Sequence, residues 1–365
     1  MSKSHQQVHV SPALLFPLDG DMLNEYDGVW RDERLHIRVR LAGPAGSRFT
    51  VNGISAKRAD GEYTAEIKLD GYRNTIAVAE EETGYNETVT VYWLKNATMK
   101  YRVSVDDNIW FLRDIAANSE TYRSIFDNPY LSVYKELYDT YGTKVHLNLF
   151  YRTDGFDLSQ MPDKYKEEWQ ANAHWLRLTF HADQEFPDKP YKATAPEVIL
   201  ADCEQVTREI IRFAGEESLS HVTTVHWGEA TREGSRALRK FGFRTLAGYF
   251  RLIDGEPIVS YYLDKDRVEH LNKRDFWKDH SEDLVFAKID MVLDKTEKED
   301  IVPMLEQIRQ NPHEAGFIEL MIHEQYFYSD YAAHQPDFKE KLMTAAKWAT
   351  ENGYKPAFLS ECVEE

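Results

Sequence analysis

The chain runs to 365 residues, enough for two domains and a large core, and 42% of them are hydrophobic, as a folded protein requires. Lysine and arginine number 44 against 62 aspartates and glutamates, a net charge of -18 that repels phosphate backbones and anionic lipid, so nucleic acid and membrane surfaces are not expected partners. No apolar run reaches the length of a signal-peptide core or a membrane span, which makes the expected location cytoplasmic, and Cys203 and Cys362 support neither a disulfide framework nor a zinc knuckle.

Up to about residue 97 the chain carries short alternating runs: Leu35 to Leu41, Arg48 to Val51, Tyr63 to Leu69, Thr75 to Val78 and Thr88 to Trp93. Asn52-Gly53, Asp60-Gly61 and Asp70-Gly71 stand between them, dipeptides suited to positive φ in tight turns. The pattern predicts an all-β sandwich over 1–97, immunoglobulin-like, with no ligand-spaced cluster of His, Asp and Glu.

After Asn96 the rhythm changes to strands alternating with helices. Strands are expected at Tyr101 to Val105, Val145 to Phe150, Trp175 to Phe180, Val222 to Val225, Arg244 to Leu246, Val285 to Ile289 and Phe317 to Ile322. Helices are expected from Pro129 to Tyr141, with Asn128 as cap and Gly142 as stop, from Glu197 to Gly215 and from Asp337 to Asn352. Residues 98–365 in this alternation suit an α/β fold, a distorted (β/α) barrel of seven or eight units, whose working groups stand at the C-terminal ends of its strands.

Polar residues do gather there. The first strand runs into Asp106-Asp107, and two adjacent carboxylates in one cavity repel unless a cation intervenes, so a divalent metal held by one and a base formed by the other is the natural resolution. The structural alternative is that the pair caps the next helix. His181-Ala182-Asp183-Gln184-Glu185 follows the third strand, His226-Trp227-Gly228 the fourth, and His323-Glu324-Gln325-Tyr326 the last long one.

In this order the motifs resemble the polysaccharide deacetylases, carbohydrate esterase family four. Ser104-Val105-Asp106-Asp107-Asn108 is similar to the opening motif of that family, which implies Asp106 as general base and Asp107 as metal ligand. Phe180-His181 to Glu185 has the spacing of the second motif with Glu in place of a second histidine, and Glu319-Leu320-Met321-Ile322-His323 resembles the strand that supplies the general acid. The resemblance implies a metal-dependent hydrolase that removes acetyl or a similar acyl group from an amino sugar or glycan, with Asp107, His181 and Glu185 holding one divalent ion. Zinc is the first choice, with nickel, cobalt and manganese as alternatives, and a carbohydrate is the expected partner. His226 rivals Glu185 as third ligand, since the Arg-x-Pro-Tyr motif of the family is replaced here by His226-Trp227-Gly228-Glu229.

Ring faces that stack on sugars are sought in Trp110, Trp227 and Tyr326, with His226 and Asp154 as further substrate contacts. Asp290 is a candidate to orient the catalytic histidine. Two other functions stay open: a barrel without catalysis that grips a carbohydrate or protein, and a metal-free glycoside hydrolase whose second acid is Glu185 or Glu324. His181 and His323 have a packing reading too, as satisfied core histidines.

Overall fold

The computed structural model describes residues 11–364 and divides into two compact units, one reaching to Lys95 and one spanning Asn96–Glu364. The first unit is two five-stranded sheets. One orders the strands Ala13–Phe16, Arg34–Ala42, Glu62–Leu69 and Lys57–Ala59, with Gly28–Arg31 also on Arg34–Ala42; the other orders Met22–Leu23, Asn86–Trp93, Arg73–Glu80, Phe49–Val51 and Ile54–Ser55. Every pairing is antiparallel except that of Met22–Leu23 with Asn86–Trp93. Along Arg34–Ala42 the buried residues are Leu35, Ile37, Val39 and Leu41, period two, so one face enters a core shared with Phe49, Val78 and Val91. Asn52-Gly53 and Asp60-Gly61 take positive φ as expected. Asp70-Gly71 does not. There the Asn74 side chain accepts from the Asp70 N–H at 2.8 Å and closes the turn instead.

The second unit is mixed α/β with a mainly parallel strand arrangement. The strands of its two main sheets are β1 (Lys100–Asn108), β2 (Val145–Phe150), β3 (Leu176–Ala182), β4 (Val222–Thr223), β5 (Thr245–Gly248), β6 (Phe276–Asp279), β7 (Leu284–Lys288), β8 (Met291–Val292), β9 (Phe317–His323) and β10 (Lys355–Pro356). One sheet runs β3-β2-β1-β9-β8 with β10 also on β1, every pair parallel. The other runs β4-β5-β7-β6, antiparallel only at β6. The sheets are laced at both ends: Ser220 N–H donates to Leu178 O at 2.9 Å, and Asp290 N–H to Glu319 O at 3.0 Å.

Helices α1 (Trp110–Ala117), α2 (Pro129–Tyr141), α3 (Pro196–Ala214) and α4 (Phe338–Glu351) are among those that clothe these sheets. The α2 bounds follow from chemistry at its ends. Asn128 accepts from the Leu131 N–H, Pro129 takes the first turn where its missing N–H is harmless, and Gly142 closes the helix at φ 68°, a conformation costly for other residues. Both β2 and β9 are buried almost throughout, as strands covered on two faces must be. Cys203 and Cys362 are buried free thiols. Among the described residues no helix is long and apolar enough to cross a membrane.

Candidate metal centre and its flanking acid and base

Consecutive residues of a regular strand face opposite ways, so Asp106 and Asp107 need a break to share a cavity. The chain supplies one. Between Val105 and Asn108 the register of β1 against β2 slips, and Asp107 takes φ 64°, left-handed backbone that aspartate tolerates better than most residues. Asn108 braces the bulge, its Nδ2 donating to Val105 O at 2.6 Å and to Asn148 O at 3.1 Å. Both carboxylates then line a cavity of about 410 Å³ together with His181, Glu185, His226, Trp227, His323 and Tyr326.

Within it Asp107, His181 and His226 converge, with one ligating atom from each inside a mutual 4.8 Å. Asp107 Oδ1 lies 3.0 Å from His181 Nε2 and 3.2 Å from His226 Nδ1, and the two ring nitrogens are 3.1 Å apart. The far side of each ring fixes its tautomer. His181 Nδ1 meets the Thr224 carbonyl, and His226 Nε2 meets the Glu185 carbonyl at 2.9 Å. A carbonyl only accepts, so each of those nitrogens carries the proton, and in the neutral ring the opposite nitrogen turns a lone pair inward. Two lone pairs and a carboxylate oxygen at contact distance repel one another unless a cation sits among them. Two imidazoles and one carboxylate suit zinc and its first-row neighbours, and the carbonyl partners hold the rings as outer partners of metal-bound histidines commonly do.

Of the two rivals for third place, His226 belongs to this group and the Glu185 carboxylate does not. The physical reason is the path of the chain. β3 ends at Ala182, and Glu185 lies in an irregular loop, where a spacing of four does not return a residue to the same face as it does on a helix. What Glu185 gives His226 is its main-chain carbonyl.

Asp106 and His323 flank the group. They are register partners across the parallel β1–β9 pair, which sets them side by side at the strand ends. Asp106 is buried and accepts from Asn148 Nδ2 at 2.7 Å. Burial raises its carboxyl above the ordinary range; the positive charge that His181 and His323 can carry and the Asn148 hydrogen bond counteract this, and Asp107 adds to it. Asp107 is also penalised by burial, yet the His181 and His226 rings against it, with the His323 charge assisting, hold its carboxyl well below the usual value. For His323 burial opposes the charged ring, but the Asp294 carboxylate overrules it and lifts the imidazole to about 9, with Asp107 and Asp106 assisting. Asp294 Oδ1 accepts from the His323 backbone N–H at 3.0 Å and lies 2.9 Å from Nδ1.

Asp290, the sequence candidate for that orienting role, does not fill it. The Asp290 carboxylate is instead engaged by the Glu319 N–H at 2.9 Å and the Lys288 ammonium at 3.2 Å. Asp294 sits on the short turn after β8, where no periodicity marks it; its position a few residues beyond a strand end was the available signal. Asn148 was missed as well. In the run Val145-His146-Leu147-Asn148-Leu149 its polarity at period two inside an apolar strand was the clue.

The remaining expected contacts divide. Trp227 and Tyr326 line the cavity. Trp227 is thrust outward by a tight turn in which Gly228, at φ 56°, is so close to Val259 that a Cβ would lie 2.7 Å from its side chain. Trp110 is not part of the lining. It starts α1 and packs on Tyr328 and Tyr331, ring centroids 5.2 and 6.0 Å away. Asp154 is also outside, at the turn between Arg152–Thr153 and Phe156–Asp157. Glu324, weighed as a glycosidase acid, is fully buried and spent on structure: it accepts from the N–H groups of Ile109, Trp110 and Phe111 at 2.6 to 2.9 Å, capping α1.

No family model matches the chain, and neither does any curated protein. Solved structures do. A mutant of a CE4 family pseudoenzyme is 11% identical, covering 80% of this chain and 86% of its own, with a TM-score of 0.35. A presumed polysaccharide deacetylase from Mycobacterium smegmatis is 11% identical over 73% of this chain and 90% of its own, with a TM-score of 0.41. A CE4 esterase from Streptococcus mutans is 10% identical over 72% and 86%, with a TM-score of 0.36. The chain is similar to these proteins at low identity; its chemistry is decided by the atoms of its own site.

Proposed function

We propose that the protein is a metal-dependent hydrolase that removes acetyl or a similar acyl group from an amino sugar or glycan. The observation that carries this is the convergence of Asp107, His181 and His226 on one point, beside a buried carboxylate on one side and a charged imidazole on the other. In this reading the second unit is a distorted (β/α) barrel, a closure supported by its parallel order and its two laced ends, and the first an immunoglobulin-like accessory sandwich.

Asp107, His181 and His226 hold the ion. When bound, a divalent ion of this kind polarises a water and the acyl oxygen. Asp106, kept basic by burial, takes the proton of the attacking water while Asn148 holds one of its oxygens. His323, cationic beside Asp294, gives its proton to the departing amine or alcohol. Trp227 and Tyr326 offer ring faces at the cavity wall for a pyranose. A metal-free glycosidase is left with Glu185 alone as its second acid, because Glu324 is committed to the α1 terminus.

Elemental analysis of wild type beside His181→Ala, together with acetate release from a panel of acetylated amino sugars, tests the reading. One divalent ion per chain that disappears in the variant, with acetate released by the wild type, supports it. Absence of any ion after soaking with zinc, nickel, cobalt and manganese sinks it.

A further inference from the structure

Asn148, on β2, has no exposed surface, and its amide is used at both ends. Nδ2 donates to Asp106 Oδ1 at 2.7 Å and approaches the Val105 carbonyl at 3.3 Å, while Oδ1 accepts from the Thr224 N–H at 3.2 Å. Carboxylate and carbonyl accept and the N–H donates, so a single orientation of the amide satisfies all three. Thr224 in turn offers its carbonyl to His181 Nδ1. One neutral side chain therefore links the carboxylate that flanks the centre to the backbone that sets the tautomer of a ligating imidazole.

We infer that Asn148 is the positioning residue for Asp106, an inference that rests on the hydrolytic reading above. Asp106 stands on the strand that breaks at the very next residue, so β1 alone does not fix where its carboxylate points. A donor on Oδ1 anchors one oxygen and leaves Oδ2 to meet water in the cavity. Because the donor is an amide and not a cation, it orients the carboxylate without the charge-assisted bond that would most weaken it as a base. Asn148 does not line the cavity, so it acts through Asp106 and not on substrate.

Two variants separate positioning from simple bracing. Asn148→Asp keeps an oxygen for the Thr224 N–H but sets a second carboxyl against Asp106 in place of the neutral amide donor, so that like charge or a shared proton replaces the fixed bond; Asn148→Leu replaces the amide by an apolar group of similar size. Turnover of an acetylated amino sugar, bound metal per chain and melting temperature are measured for both beside wild type. We expect kcat to fall about 10²-fold, as for a reacting group displaced by a fraction of an ångström, with KM within about threefold of wild type. Metal content should stay that of wild type, and the variants should remain folded at the assay temperature. An active wild type with unchanged kcat in the variants overturns this inference alone. So does a loss of kcat that comes with lost metal or with unfolding in both variants, which would make Asn148 a brace. A wild type that hydrolyses none of the substrates overturns the hydrolytic reading and this inference with it.

Discussion

Replacing Asp294 by asparagine isolates what keeps His323 charged. The carboxylate meets both the backbone N–H and Nδ1 of His323, at 3.0 and 2.9 Å, and the imidazole stands at about 9 against an ordinary 6.5. That lift is worth about 3 kcal/mol in favour of the imidazolium, won against burial, which alone would lower it. The folded value is raised, so the stabilisation is present in full below about pH 6.5 and is lost as pH climbs through about 9. In Asp294→Asn the amide oxygen still accepts the backbone N–H but carries no charge, and burial is opposed only by the help left from Asp106 and Asp107. His323 should then titrate more than about one unit lower, and the fall in stability across that window should shrink to about 1 to 2 kcal/mol or less. NMR titration of the imidazole protons in chelator-treated protein reads the first, and denaturant unfolding at several pH values reads the second. If the acid is His323, the alkaline limb of kcat moves down with it. A variant whose His323 still titrates near 9 would refute the reasoning, since the two remaining carboxylates would then suffice by themselves.

Three further outcomes follow from the same geometry. Asp106→Asn should lower turnover by about 10³-fold or more while metal content stays unchanged, because Asp106 stands outside the ligand group; elemental analysis and acetate release check the pair of results. Glu185→Gln should bind metal as wild type does, since His226 meets its main-chain carbonyl, whereas His226→Ala should lose the ion; equal losses in both would restore the Glu185 carboxylate as a ligand. Glu324→Ala should cost about 3 kcal/mol of folding stability, seen in denaturant unfolding, because it strands three N–H groups at the start of α1 in a buried setting.

What was legible in the chain had a local cause. The α2 bounds were readable because Asn128, Pro129 and Gly142 each satisfy a demand of a helix end, with no help from the rest of the fold. The strand ends were readable because burial on both faces makes β2 and β9 apolar runs that stop where polar residues begin. Asp70-Gly71 misled, for a dipeptide states what a turn permits, and Asn74 chose another closure. Glu185 misled for a related reason: a spacing of four carries geometric meaning on a helix, and the residue lies in a loop.

The residues that sequence reasoning missed, Asn148 and Asp294, share a property: each acts on a neighbour brought to it by a different strand. Asn148 reaches Asp106 across 42 positions and Asp294 reaches His323 across 29. Their functions arise only when β2 lies beside β1 and β8 beside β9, so no window of sequence contains them. The Asp106-Asp107 pair differs, because its conflict is between neighbours in the chain and its resolution, a bulge with Asp107 at φ 64°, is local too. A site of this kind therefore announces its charged centre in the sequence and conceals its supports. In the proposed reaction those supports decide whether the centre works: without Asn148 the Asp106 carboxylate loses the donor that anchors it, and without Asp294 the His323 imidazole stands to lose its proton nearer neutral pH.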